Sequence, residues 1–162
     1  MKLRQSDADR YLFELSDREY LFLARVLRLY PLVPPAHHQL TSGPVGPENE
    51  RQNLLDEALA EERERNRHQV AAMLDDPRRF RTVDRLVEWT LAVTEFDWVL
   101  QVLNDVRVGA WIALGEPDPP DAPDVNPANA LHVFAMIVAG QFQGELLKAV
   151  EPPASSQPPV IE

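Results

Sequence analysis

The amino-acid sequence predicts an all-α domain, a bundle of about five helices joined by proline-rich loops, and three observations lead to it. All but one of the fifteen prolines fall into three clusters, 31–47, 117–127 and 152–159. Between them run long segments in which apolar residues recur three and four positions apart. No alternation of apolar and polar residues is long enough to build a sheet. Proline lacks a backbone donor and clashes with the preceding turn, so the clusters mark connections and the segments between them mark helices.

After an extended lead-in, Tyr11-Leu12-Phe13-Glu14-Leu15, the tetrad Ser16-Asp17-Arg18-Glu19 has the spacing of a capping box, in which serine and glutamate satisfy each other's backbone donors. Leu15 and Tyr20 stand at the positions of a hydrophobic staple, so helix one is expected over Asp17 to Tyr30. The segment from Pro31 to Pro47 reads as a loop. From Glu48 to Leu74 neither glycine nor proline occurs, which predicts a long second helix. Its charged middle, Glu61 to His68, reads as a solvated face. Arg78, Arg79 and Arg81 then form the one dense basic cluster, expected either to complement the helix end or to pair with the acidic surface, rather than to bind nucleic acid.

The stretch from Val83 to Leu114 is too long for one ordinary helix. Thr94-Glu95-Phe96-Asp97 offers a restart, which divides it into helix three, Val83 to Val93, and helix four, Glu95 to Leu114. Asn126-Pro127 starts helix five, which runs to Val150. Residues 1–150 are thus expected to form one helical domain. The remainder, 151–162, is read as a flexible C-terminal tail.

With 162 residues, 44% of them hydrophobic and 26% charged, the chain can bury a single core. Its net charge of −10, from 26 acidic and 16 basic residues, repels phosphate backbones and anionic lipid. Neither a nucleic-acid nor a membrane partner is therefore expected. The absence of cysteine excludes disulfides, thiolate metal sites and thiol nucleophiles. The first residues lack the apolar stretch of a secretory signal. The most apolar run, Val133 to Ala139, is roughly a third of the ~20 residues that cross a bilayer. A cytoplasmic protein is the resulting expectation.

Helix four carries the candidate site. At about 100° per residue, Phe96, Val99, Leu100, Leu103, Val106, Ala110, Trp111 and Leu114 share one face, with Arg107 in its middle and Asn104 at its edge. A guanidinium on a core stripe needs acceptors. An internal ion pair with Asp84, Glu88 or Glu145 would supply them, and so would an anionic ligand held in a pocket around Arg107, Asn104 and Trp98.

The stretch Trp98-Val99-Leu100-Gln101-Val102-Leu103-Asn104-Asp105-Val106-Arg107, with its Leu-Asn-Asp-x-Arg core, resembles a bacterial family, the domain-of-unknown-function family numbered two-zero-one-seven. The likeness takes in an early helix with a glutamate at the place of Glu19 and extends loosely from Leu12 to Val150. It implies a small cytoplasmic helical protein with no established activity, in some genomes encoded near Clp-protease adaptors.

No catalytic constellation stands out. The six glycines form none of the strand-to-helix turns that phosphate loops, dinucleotide sites or serine hydrolases need. His37, His38, His68 and His132 make no same-face pair with a glutamate for zinc. Glu64 and His68 have the wrong spacing for a di-iron bundle. No metal and no cofactor are expected. The leading expectation is a noncatalytic protein-interaction or regulatory module, with a protein partner or a second copy of the chain, and the alternative is an anionic-ligand-binding protein or enzyme with its pocket at Arg107.

Overall fold

Two β-hairpins that the helical expectation lacked join into one sheet in the structure, a computed structural model that describes residues 1–35, 47–118 and 124–150. Strands β1 (Lys2–Ser6) and β2 (Arg10–Ser16) form the first hairpin, and β3 (Phe80–Val83) and β4 (Leu86–Ala92) the second. β2 pairs with β4, from Arg10 opposite Ala92 to Ser16 opposite Leu86, giving an antiparallel sheet of order β1-β2-β4-β3. Helices α1 (Asp17–Leu27) and α2 (Pro47–Asp75) lie between the hairpins in sequence, and α3 (Phe96–Ala113) and α4 (Ala130–Val150) follow. The all-α, five-helix bundle is therefore corrected to an α/β fold. The segment expected as helix three is strand β4, and the lead-in before helix one is strand β2.

The cause is legible in the side chains. In β4, Val87, Trp89 and Leu91 are buried while Glu88 and Thr90 face the other way, and in β2 Phe13 and Leu15 are buried on the same face. Period two is the strand's signature. Each run is short, and only pairing across the sequence makes a sheet of them.

Aromatic rings cross the inner face of the sheet in a nearly continuous row. Phe80 stacks on Trp89 at 5.8 Å, Trp89 meets Phe13 at 5.5 Å, and Tyr11 reaches Phe96 of α3 at 5.3 Å. Helix α1 lies across the inner face of β2 and β4, burying Leu23, Ala24, Val26 and Leu27, and α4 covers α1 and α3. Each fully buried large apolar side chain contributes about 1.5–3 kcal/mol. The opposite face of the sheet is charged and exposed, with ion pairs Arg81–Glu88 at 2.6 Å and Arg4–Glu14 at 3.3 Å.

The capping box at the start of α1 is formed as the sequence predicts: the Glu19 backbone N–H donates to Ser16 Oγ at 3.3 Å, and the Ser16 N–H donates to Glu19 Oε2 at 2.7 Å. The amino group of Met1 also pairs with Glu19. Burial alone would raise the Glu19 carboxyl, but the bonds from that amine and from Ser16 outweigh it and hold the pKa below its usual value. Helix four of the sequence reading is α3 and helix five is α4, entered through Asn126, whose side chain accepts from the backbone of Ala128 at 2.9 Å. α4 is long and apolar enough to span a bilayer by composition, and it packs one side against α3 and α1. The expected flexible tail, 151–162, lies outside the described residues, as do parts of the two proline-rich loops.

Candidate functional site

α3 holds a chain segment on one side and a hydrogen-bonded relay on another. Asp105 accepts the backbone N–H groups of Leu32, at 2.6 Å, and Val33, at 3.2 Å. One turn later stands Gly109, where a Cβ would lie 2.4 Å from the Leu32 carbonyl carbon. Only glycine lets the Leu32–Val33 backbone pass so near the helix, and the carboxylate one turn away fixes it there.

The relay joins α2, α3 and the segment that follows α1. Asn66 of α2, only 8% exposed, donates through Nδ2 to the Tyr30 hydroxyl at 3.2 Å and accepts from Trp98 Nε1 at 3.0 Å. Burial pushes the Tyr30 phenol up, and the nearby Asp105 charge adds to this, while the Asn66 bond partly offsets it. Asn66 belongs to a seam on α2, Gln52, Leu55, Leu59, Arg63, Asn66, Val70 and Met73, whose spacing of three and four turns these partly or fully buried residues toward the body. The middle of α2 is thus not wholly solvated. Of the charge pairs at helical spacing there, Glu64–Arg67 forms at 2.8 Å.

Beside this relay an open groove of about 430 Å³ runs between α2 and the start of α3, lined by Arg65, Asn66, Gln69, Met73, Glu95 and Trp98 among others. Arg79 closes one end in a two-pronged pair with Glu95, at 2.6 and 2.8 Å. The partly exposed indole of Trp98 is held in place by Asn66. Arg65 and Gln69 on the facing wall are exposed, and their side chains make no hydrogen bond within the described residues.

Of the three residues singled out in the sequence, Trp98 lines this groove while Asn104 and Arg107 lie elsewhere on α3. Arg107 is exposed, not central in the core, and its Nη2 donates to Asn104 Oδ1 at 3.0 Å. None of its proposed ionic partners reaches it: Glu88 pairs with Arg81 and Glu145 with Lys148. The buried arc of α3 is centred nearer Val99, Val102, Leu103 and Val106, because the Val102 and Gly109 side is covered too. Arg107 therefore falls at the margin, where its stem passes Gly140 of α4, with Cδ 3.4 Å from where a Cβ would be. Its aliphatic part covers α4 and its head stays in water. The grooves described here are not lined by Arg107.

Sequence reasoning missed Asn66 and Asp105. The signal for Asn66 was its phase, four residues before Val70 and seven before Met73, within a run otherwise charged. Asp105 lies off the apolar face of α3, on the side where the Leu32–Val33 backbone closes over it. The arginine cluster is paired as expected, Arg78 with Asp76, Arg79 with Glu95 and Arg81 with Glu88. Among the described residues no group of three or more His, Asp or Glu is placed to hold a metal ion.

The fold and groove define a small α/β domain with an antiparallel sheet covered on one face by helices. Neither a family model, nor a curated protein, nor a solved structure matches the chain.

Proposed function

We propose that the chain is a noncatalytic protein-interaction module of the cytoplasm, and that the groove between α2 and α3 receives a segment of a partner protein. The observation that carries this reading is Trp98, an indole held by Asn66 at 3.0 Å at the side of an open groove. A rigid aromatic loses little conformational freedom on binding, and tryptophan and arginine dominate the energetics of protein interfaces. The groove combines that indole with the sulfur-bearing Met73 and with Arg65 and Gln69, whose donors can take partner carbonyls or carboxylates. Its open shape suits a polypeptide lying across it better than a small molecule enclosed by it.

Site-specific photo-cross-linking in cells tests the reading, with the cross-linking amino acid in place of the exposed Gln69. A discrete adduct is expected, and Trp98→Ala should remove it while Arg107→Ala leaves it unchanged. An adduct indifferent to Trp98→Ala, or none at all, would contradict the proposal. A melting curve of Trp98→Ala separates loss of binding from loss of fold.

A further inference from the structure

β3 is an edge strand, and its backbone geometry is set by the turn that follows it. Asp84 and Arg85 both have positive φ, 47° and 69°, as a two-residue turn that matches strand twist requires. That turn makes Val83 and Leu86 a hydrogen-bonded pair, and alternation makes Arg81 and Glu88 the next. The Thr90 N–H donating to the Arg79 carbonyl at 2.9 Å continues the series. The N–H and C=O groups of Phe80 and Thr82 therefore point away from β4, and no backbone hydrogen bond reaches them within the described residues.

Two different surfaces flank this open edge. On the inner face a groove of about 320 Å³ between β3 and α1 is lined by Tyr20, Leu21, Phe80, Thr82 and Val87, with Asp17 at its end. Leu21 is 63% exposed there, an apolar side chain without cover. On the outer face and at the ends of the strand stand three exposed guanidiniums, Arg78, Arg81 and Arg85, of which Arg85 makes no ion pair within the described residues. The other edge of the sheet differs: β1 is interrupted by a register shift between Leu3 and Gln5, a device that blunts an edge.

We propose that the β3 edge takes up an extended polypeptide segment as a fifth strand, one in which apolar side chains alternate with carboxylates. Strand addition draws its affinity from main-chain bonds and its specificity from alternate side chains. Bound to Phe80 and Thr82, such a segment turns every second side chain into the groove at Leu21 and the others toward Arg81. The groove selects apolar residues and the guanidinium row selects acids. A second copy laid antiparallel on the same edge would instead bring like Arg81 side chains together, which disfavours it. This site lies apart from the Trp98 groove and stands or falls independently of it.

The test is a titration of the isotope-labelled full chain, followed by amide NMR, with a hexapeptide of alternating valine and glutamate. The Phe80 and Thr82 amides should shift and become protected from exchange. Thr82→Pro removes the outward N–H without taking a bond from the β3–β4 ladder, and should abolish that response. Arg81→Glu should weaken binding roughly tenfold and transfer the preference to a valine–lysine peptide, as expected when one charged contact is reversed. Because Arg81→Glu leaves the backbone intact, it decides the matter even if Thr82→Pro does not fold. Three outcomes overturn the proposal: no response at millimolar peptide, shifts confined to residues away from β3 and α1, or concentration-dependent protection of the same amides without peptide, which would assign the edge to a second copy.

Discussion

α3 and α2 are both long helices, but they are anchored in different ways. α3 is buried along most of its length: Val99, Val102, Leu103, Val106 and Ala110 are fully enclosed, α4 covers another side, and Asp105 and Gly109 hold the Leu32–Val33 segment. α2 is longer, yet among its described residues the buried ones are Asn66, Val70, Met73 and Leu74, all in its C-terminal half. Helix length and helix anchoring are separate matters. α3 is fixed by a broad buried arc from Phe96 to Ala110, whereas α2 is held along one seam that includes a single buried asparagine. That places the groove between a rigid wall and one that can open at low cost.

The sharpest expected break falls on α3. Leu103→Ala removes a fully buried side chain and should cost roughly 2–5 kcal/mol in a denaturant titration. Gly109→Ala sets a methyl group against the Leu32 backbone and should cost about 1–3 kcal/mol by the same measurement. On α2 no expected effect reaches that of Leu103→Ala. Asn66→Ala leaves the Trp98 N–H and the Tyr30 hydroxyl without their partner and should cost about 1–3 kcal/mol, with a change in tryptophan fluorescence as Trp98 loses its tether. Arg67→Ala breaks only an exposed pair with Glu64 and should leave the melting temperature unchanged within error.

The same two helices show what a sequence can disclose. The bounds of α2 and α3 follow from helical phase, an absence of proline and a restart at Thr94 to Asp97, all local signals. The start of α1 was legible in Ser16 and Glu19 for the same reason. The sheet was not. Arg10 and Ala92 are partners across about half of the chain, and nothing local at either end announces the other. The turn at Asp84-Arg85 also takes positive φ without glycine, so the usual mark of a tight hairpin is missing. The alternation of Val87, Trp89 and Leu91 with Glu88 and Thr90 was present, but it sat inside a proline-free stretch that also satisfied a helical count.

The site was half legible. Trp98 stood out as an aromatic on the central helix, and it lines the groove. Arg107 stood out as a charge on an apolar stripe, and it proved to be marginal, because the stripe turns toward Val102 and Gly109 once α2 and the Leu32–Val33 segment cover that side. Asn66 carried no local mark beyond its phase, since its importance comes from Tyr30, after α1, and Trp98, on α3. A contact made by three separate segments is a property of the packing.

Native-state hydrogen exchange measured amide by amide tests the difference between the two helices most directly. On this account the α3 amides around Leu103 exchange only through global unfolding, whereas those of α2 around Asn66 exchange through a smaller opening of lower free energy. Asn66→Ala should lower the free energy of that opening further. Protection of α2 equal to that of α3, or an Asn66→Ala variant in which both helices lose protection together, would contradict it.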